Sequence, residues 1–388
     1  MEFINRTSRA TEIDQIVQDL TQGIDSAYDL GILFFTQAKF PFIKNVIEGL
    51  NKKSVVQNLL GCTCAGIIGS NEEIEYQSAV SVIYAKLPGV KIVPFSVDQE
   101  DLDRLKNKKD CYQFFEVFPN ENPVFIAFPD PFRFDMNVFL EKIDEAYPRQ
   151  PIIGGIASAA SEPNQNILSL NGDFYNEGVV GVILTGDIRV DTVVSQGCRP
   201  IGETYIVTKG EQNIIFEVAG KPFIEILEGV LEKSSARDKL LAQEAIFVGI
   251  AMDEYKHGYK RGDFLIRGLM GIDQNLGAGA IGDYIKTGQT IQFHVRDAHT
   301  ATEDLSELLS THQKNNLLNK PKGALVFSCN GRGEGLFHQK NHDISIIQNY
   351  LGPMPAAGFF CAGEIGPIGG KNFLHGFTDS IALFYPKN

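Results

Sequence analysis

The chain has 388 residues, 43% of them apolar and 21% charged, which is typical of a globular protein with two or three domains. Its formal charge of −13 argues against a nucleic-acid-binding protein, because such proteins normally carry a basic face. No run of 18 apolar residues is present, and the first residues lack the layout of a signal peptide. We therefore expect a cytoplasmic protein with reduced cysteines that contacts neither membrane nor nucleic acid.

Three segments of the chain repeat one order of elements: a strand, a helix, a strand ending in small residues, and a returning strand. Because a helix separates the first two strands, we expect them to be parallel and the returning strand to be antiparallel. In chain order, the runs assigned to strands are 31–36, 58–70 and 78–85, then 123–130, 151–160 and 177–186, then 323–333, 355–366 and 376–384. A fourth copy at 245–252 and 289–297 is possible, although it lacks the glycines of the others.

The second strand of each segment contains glycine at a similar distance from the first strand. The spacing from Ile32 to Gly61 is 29 residues and from Val124 to Gly154 is 30, and the third segment has a spacing of 34 that ends at Gly358. Glycine at such positions indicates a tight turn or a close approach of two backbones. We predict that Gly61 and Gly154 are equivalent residues in two units of the same topology.

The predicted fold class is α/β, with repeated β-α-β-β units forming mixed sheets in two lobes. A domain boundary is expected at Ala219–Pro222, where a β-rich region gives way to a stretch with helical periodicity. We therefore divide the chain into an N-terminal extension (1–26), a first domain (27–220) and a second domain (221–388).

Two glycine-rich loops of the third segment are the candidate binding site, because ligands bind at the carboxyl ends of parallel strands. Arg332, in "SCNGRG" (328–333), offers donors that match a carboxylate, unless it is a solvated turn residue. Glu364, in "AGEIG", lies among small apolar residues, where an acid is costly unless it is paired or caps backbone N–H groups. Together they would suit a zwitterion such as an amino acid.

The residues assigned to this crevice surround the two loops and the nearby helix start and hairpin: Asn330, Gly331, Arg332, Gly333, His342, Phe359, Gly363, Glu364, Asn372 and His375. Replacing Arg332 by alanine is expected to abolish the binding of a carboxylate ligand and to leave the melting temperature nearly unchanged.

Several motifs resemble the FIST sensory proteins, which carry an N-terminal and a C-terminal FIST domain. They are "GCTCAG" (61–66), "GGIASA" (154–159), "GALVFSCNGRGEGLF" (323–337), "AGFFCAGEIGPIGG" (357–370) and "NFLHGFT" (372–378). The resemblance runs from about residue 27 to the end of the chain. It implies a non-catalytic sensor in bacterial signal transduction that binds an amino acid or related metabolite. Its output would be a separate protein, such as a histidine kinase or a cyclic-di-nucleotide enzyme.

The resemblance leaves a second kind of sensor open, because some stand-alone members are haem-binding nitric-oxide sensors that regulate a histidine kinase. Haem b needs an apolar slot and an axial ligand. His342 is the first candidate for the haem iron, followed by His294 and His375. The phenylalanines that would line the slot are Phe327, Phe337, Phe359, Phe360, Phe373 and Phe377.

A third interpretation is a cysteine-dependent enzyme. In it, Cys329 or Cys361 would be the nucleophile and His342 or His375 the base. A reactive cysteine requires a lowered thiol pKa and a base within reach, and the sequence supplies only the residue types. We therefore expect a binding protein rather than an enzyme.

Overall fold

The computed structural model describes residues 1–36 and 42–387, and the chain divides into two compact units. The first unit comprises Met1–Val194, Leu305–Leu374 and Thr378–Asn388, and the second comprises Ser195–Asp304 and His375–Phe377. The second unit therefore interrupts the chain of the first. The predicted α/β class with mixed sheets is confirmed.

The described residues of the first unit contain three copies of one arrangement. The first copy comprises β1 (Glu2–Ser8), α1 (Ile13–Thr21), β2 (Tyr28–Thr36), α2 (Ile43–Lys53), β3 (Val56–Cys64), β4 (Ile67–Ile68), β5 (Glu73–Ile74) and β6 (Val80–Lys86). The second comprises β7 (Val90–Val97), α3 (Gln99–Arg104), α4 (Lys108–Phe115), β8 (Val124–Pro129), α5 (Met136–Ala146), β9 (Ile152–Gly155), β10 (Leu168–Leu170), β11 (Asp173–Tyr175) and β12 (Val179–Gly186).

The third copy begins with β13 (Ile188–Gln196) and resumes after the second unit. The elements of the second unit are β14 (Cys198–Glu211), β15 (Ile214–Val218), β16 (Lys221–Pro222), α6 (Phe223–Lys233), α7 (Ala236–Glu244), β17 (Ile246–Ala251), β18 (Phe264–Asp273), β19 (Ala278–Ile281) and β20 (Thr290–Arg296). The third copy continues with α8 (Ala298–Asn315), β21 (Gly323–Cys329), α9 (Gly333–Phe337), α10 (His342–Leu351), β22 (Ala356–Cys361), β23 (Glu364–Ile368), β24 (Lys371–His375) and β25 (Thr378–Pro386).

In each copy the first two strands are parallel and the returning strand is antiparallel, as the sequence predicts. The parallel pairs are β2–β3, β8–β9 and β21–β22, and the returning strands are β6, β12 and β25. The central strands are continuous apolar runs because both of their faces are buried. Among the connecting helices, α5 begins at a capping side chain: the carboxylate of Asp135 accepts a hydrogen bond from Val138 N at 3.1 Å.

The three sheets are joined by an exchange of hairpins. Hairpin β4–β5 of the first copy extends the sheet of the third copy, β10–β11 of the second extends that of the first, and β23–β24 of the third extends that of the second. Each hairpin pairs with the second strand of the copy that receives it. The exchange is therefore cyclic, and no copy forms its complete sheet alone.

Three equivalent glycines allow the two parallel strands of each copy to approach closely. Gly61, Gly154 and Gly358 lie opposite Leu33, Ala127 and Val326 in the parallel registers. A Cβ atom on these glycines would lie 2.4, 1.9 and 1.7 Å from the facing carbonyl oxygens. The predicted equivalence of Gly61 and Gly154 is confirmed, and Gly358 is the third member of the set.

The inner faces of the three sheets share one apolar core. Phe34, Phe128 and Phe327 occupy equivalent positions in the three first strands, and the ring of Phe359 contacts all three, with centroids 5.0–5.8 Å apart. This core fixes the central strands relative to one another, and so it fixes the loops at their carboxyl ends.

The second unit is an antiparallel barrel. Its strands are ordered β14-β20-β17-β18-β19-β15-β16, and β14 also pairs with β15, which closes the sheet. The possible fourth copy is wrong, because β17 and β20 are directly paired antiparallel neighbours in this barrel. Residues 219–222 lie within this unit, between β15 and α6.

We expect Gly358→Ala to destabilise the protein by about 3 kcal/mol or more, since the new methyl group would overlap the carbonyl of Val326. Gly229→Ala is the control: it lies inside α6 with no atom near the added Cβ, and alanine favours a helix by up to about 1 kcal/mol. Thermal unfolding followed by circular dichroism compares the two variants. Equal melting temperatures would contradict the close approach of β21 and β22.

Candidate functional site

Arg332 and Asp343 form a buried ion pair at the carboxyl end of β21. The Nε and Nη2 atoms of Arg332 donate to the two oxygens of Asp343 at 2.8 and 2.9 Å. Asp343 lies in the first turn of α10 and also accepts a hydrogen bond from Ser328 Oγ at 3.2 Å. Burial alone would raise the pKa of Asp343, but the Arg332 charge and hydrogen bonds from His342 and Arg332 hold it well below its usual range.

This pair changes the expectation for Arg332. The guanidinium is 2% exposed, and two of its nitrogens already bind Asp343, so it is not a free clamp for a ligand carboxylate. Its Nη1 atom has no hydrogen-bond partner among the described residues. Loss of Arg332 would leave Asp343 as an uncompensated buried charge, so the melting temperature should not remain unchanged.

His342 is oriented by the same aspartate. Its Nδ1 atom lies 2.8 Å from Asp343 Oδ1, and its ring stacks on Phe337 with centroids 3.4 Å apart and planes 8° apart. The side chain is buried at the start of α10. The sequence correctly placed His342 beside the "NGRG" loop, and the structure shows that an acid and a phenylalanine hold it there.

Glu364, at the start of β23, is fully buried. Its Oε2 atom accepts hydrogen bonds from Thr378 N at 3.1 Å and from Thr378 Oγ1 at 2.8 Å. Its Oε1 atom has no partner among the described residues. Burial raises the pKa of Glu364 to about 8, although hydrogen bonds with Thr378, the Arg332 charge and a hydrogen bond with Cys329 partly offset this effect.

Asp379 has the least favourable surroundings of the buried acids at this site. Neither of its carboxylate oxygens has a hydrogen-bond partner in the described part of the chain. It is fully buried in β25, opposite Ser328. The equivalent residues of the first and second copies, by register, are Val80 and Val179. Burial, together with the charge of Asp343, raises the pKa of Asp379 well above its usual range.

The exchanged hairpin brings a further acid from the first copy. The Oε1 atom of Glu73, in β5, accepts a hydrogen bond from Ile344 N of α10 at 2.8 Å, and its Oε2 atom has no partner among the described residues. Burial and the Asp343 charge raise the pKa of Glu73 to about 8. We call Glu73, Asp343, Glu364 and Asp379 the carboxyl cluster; their charges act on one another and on Arg332.

Sequence reasoning missed three of these acids. Asp379 carried a signal, since "TDSIALF" has an acid where the other returning strands have valine. Asp343 carried no distinct signal, because an acid in the first turn of a helix is normally explained by the helix dipole. Glu73 carried no signal, because nothing in the sequence indicates that its hairpin joins another copy.

Three further predicted residues, Asn330, Gly331 and Gly333, lie in the loop that follows β21 and at the start of α9. Gly333 has a φ of +65°, and an added Cβ would lie 2.5 Å from the Glu75 carboxylate, so glycine is required where that acid binds Glu334 N. Asn330 N donates to Cys361 O at 2.9 Å, and Gly331 N donates to Cys329 Sγ at 3.4 Å.

Four predicted residues lie in other surroundings. The Oδ1 atom of Asn372 accepts from Ile152 N at 2.8 Å in the second copy, Phe359 lies in the shared core, and His375 belongs to the second unit. Gly363 O accepts from Ile156 N at 2.8 Å, where the third copy meets the second.

Four phenylalanines assigned to the haem slot lie in different surroundings. Phe327 and Phe359 fill the core of the first unit, and Phe360 packs in a separate cluster with α10. Phe377 packs on Phe247 in the second unit. His294 is buried in β20 with Nδ1 3.0 Å from Gln292 O, and burial lowers its pKa to about 4.

Among residues 1–36 and 42–387, no three His, Cys, Asp or Glu side chains are arranged to hold a metal ion. No helix in the described part of the chain has the length and hydropathy needed to span a bilayer.

Comparison with known sequences identifies the family. Residues 29–221 match the FIST N domain and residues 224–367 match the FIST C domain. The chain belongs to the FIST family. Membership indicates a sensory role in signal transduction, as the sequence motifs predicted.

FIST relatives with similar sequences are uncharacterized proteins. One from Mycobacterium tuberculosis is 38% identical over 326 residues, covering 84% of this chain and 83% of that protein. One from Mycobacterium bovis is 36% identical over 362 residues, covering 92% and 91%. Among solved structures, a cyanuric acid hydrolase from A. caulinodans aligns over 100% of this chain and 99% of its own with 7% identity and a TM-score of 0.36, too low to support any inference.

We expect Arg332→Ala to lower the free energy of unfolding by about 3–5 kcal/mol, because Asp343 would lose its buried partner. Arg133→Ala is the matched control: Arg133 lies five residues after Phe128, as Arg332 lies five after Phe327, but its side chain is 53% exposed. Its ion pair lies at the surface, where the loss should be about 1 kcal/mol or less. Urea denaturation measures both losses. The double variant Arg332→Ala, Asp343→Ala should be more stable than Arg332→Ala alone, and an additive further loss would contradict this explanation.

Proposed function

We propose that this FIST protein is a non-catalytic, cytoplasmic sensor that binds a small amino-acid-like metabolite at the carboxyl cluster and regulates a separate output protein, such as a histidine kinase or a cyclic-di-nucleotide enzyme. The observation that carries the proposal is a group of buried polar atoms without hydrogen-bond partners among the described residues. These atoms are Glu73 Oε2, Arg332 Nη1, Glu364 Oε1 and both carboxylate oxygens of Asp379.

Such atoms are rare in folded proteins because each costs about 1–3 kcal/mol when buried and unpaired. The fold itself does not require them, since Val80 and Val179 occupy the Asp379 position in the other two copies. A polar ligand would supply the missing hydrogen bonds. The cluster also lies at the carboxyl ends of parallel strands, where open α/β sheets bind ligands.

The exchanged hairpin offers a physical route from ligand to signal. Glu73 joins hairpin β4–β5 of the first copy to the N-terminus of α10 in the third, through Ile344 N. A ligand that pairs with Glu73 would change the interactions that hold hairpin β4–β5 against α10. A sensor needs a structural difference of this kind between its ligand-free and ligand-bound states.

The alternative functions have weaker support. Burial raises the pKa of the Cys361 thiol well above its usual range, which disfavours the thiolate that a cysteine nucleophile needs. For haem nitric-oxide sensing, the candidate phenylalanines are dispersed over different clusters in the described part of the chain.

The test is a thermal-shift screen of amino acids and related polar metabolites against the wild type and Glu364→Gln. The glutamine keeps an oxygen for Thr378 and places an amide where Oε1 lies unpaired, so the fold should persist. At least one metabolite should stabilise the wild type by about 2.7 kcal/mol at a hundredfold excess over Kd. Glu364→Gln should not respond to it.

Glu48→Gln, on the exposed face of α2, is the matched control and should respond as the wild type does. The metabolite should be recovered chemically unchanged after incubation with the protein. An equal response of both variants, or no response to any metabolite, would refute the proposed site.

A further inference from the structure

We infer that the carboxyl cluster recognises a protonated primary amine, so that its ligands are a class of cationic amines and need no carboxylate group. This inference rests on the proposed function and specifies which chemical group enters the site. It differs from the sequence expectation, in which Arg332 would have bound a carboxylate.

The balance of charge around Arg332 supports this choice. Asp343 already binds Nε and Nη2 of Arg332, and the Nη1 amino group has no hydrogen-bond partner among the described residues. Glu73, Glu364 and Asp379 together present four acceptor oxygens without partners among the described residues. Above about pH 8, where Glu73 and Glu364 ionise, a ligand carboxylate would meet their negative charges with only the Nη1 group of Arg332 to bind it, so repulsion would dominate.

The chemistry of an ammonium group matches these acceptors. It carries one positive charge and three N–H donors, which corresponds to one hydrogen bond for each of the three acids. Inside the protein such charge-assisted bonds are stronger than in water, and a buried carboxylate needs this compensation. The most exposed of the three acids is Glu73, at 8%, so a compact –NH₃⁺ group fits the site better than a bulky quaternary one.

Because the carboxyl groups of the cluster titrate, the affinity for an amine should depend on pH. The groups that act on Asp379 come from every neighbouring element: Glu73 from the hairpin, Asp343 from α10, Arg332 from the loop and Glu364 from β23. Nearby titratable groups also include Glu75, Glu334, Cys329 and His342.

The direction of the pH effect follows from these groups. Glu73 and Glu364 have pKa values of about 8 in the free protein, and an ammonium group would lower them, so binding must release protons. Affinity for an amine should therefore rise with pH up to about 8. It should fall above about 10, where an amine itself loses its proton.

The experiment is isothermal titration calorimetry of the full chain with three probes: n-butylamine hydrochloride, sodium butyrate and tetramethylammonium chloride. We expect butylammonium to bind, with an affinity at least about tenfold higher at pH 8.5 than at pH 6.5, a difference of about 1.4 kcal/mol. Butyrate has the wrong charge and tetramethylammonium has no N–H donor, so neither should bind.

Asp379→Val is the decisive variant, because valine is the residue of the other two copies at this position. It should weaken butylammonium binding at least about tenfold while the melting temperature stays equal or rises, since a buried unpaired carboxylate is removed. Asp379→Asn provides a second variant that keeps the shape and removes the charge, and it should weaken binding in the same direction.

Three results would overturn the inference: binding of butyrate, amine binding that survives Asp379→Val, or no amine binding at concentrations on the order of 100 mM. The last would mean that water alone occupies the cluster or that another chemical class binds. If the metabolite screen finds an anionic ligand whose effect Glu364→Gln removes, the sensor proposal stands and the amine inference fails. If the screen finds nothing, both fail.

Discussion

The cyclic exchange of hairpins is the constraint on which the first unit depends. Each copy leaves the outer edge of its second strand unpaired, and the hairpin of another copy supplies the missing hydrogen bonds. An open strand edge is a liability, so the three copies stabilise one another and close the arrangement. The same exchange carries Glu73 of the first copy to the start of α10 in the third. The candidate site therefore exists only because two copies meet.

Within this framework the third copy differs from its equivalents in polarity. Where the first two copies place valine, the third places Asp379, and it adds Glu364, His342 and the Arg332–Asp343 pair. One ion pair of this kind is compatible with a stable core when its geometry is good, but three additional buried carboxyl groups are not compensated by it. The buried carboxyl groups lower the stability of the third copy, and the first two copies show that the fold does not need Asp379. A function therefore explains these acids better than a role in folding.

The sequence predicted the fold well where local patterns determine it. Apolar runs, helical stretches and glycines at recurring spacings indicated three β-α-β-β segments, and the close approach at Gly61, Gly154 and Gly358 explains those glycines physically. The barrel of the second unit was not recognised. Its strands β17 and β20 are neighbours in space but lie far apart in sequence, and no local pattern encodes such pairing.

The site was predicted in part. The sequence singled out the loop of Arg332 and the acid Glu364 from their glycine-rich surroundings, and both contribute unpaired buried atoms to the candidate site. The role of Arg332 was misjudged because its partner Asp343 lies on a helix eleven residues away. Phe359 and Asn372 appeared close to the site in sequence, but one faces the shared core and the other supports the second copy. Phe359 lies on the core-facing side of β22, whereas the exchanged hairpin β23–β24 carries Asn372 to the second copy.

The central claim is that the carboxyl cluster is a ligand site for an amine. The most direct measurement is a crystal structure of the full chain with the metabolite that stabilises it best. The account predicts an amine nitrogen at about 2.7–3.2 Å from oxygens of Asp379, Glu73 and Glu364. A ligand bound elsewhere, with these carboxyl groups bonded only to water or to one another, would contradict it.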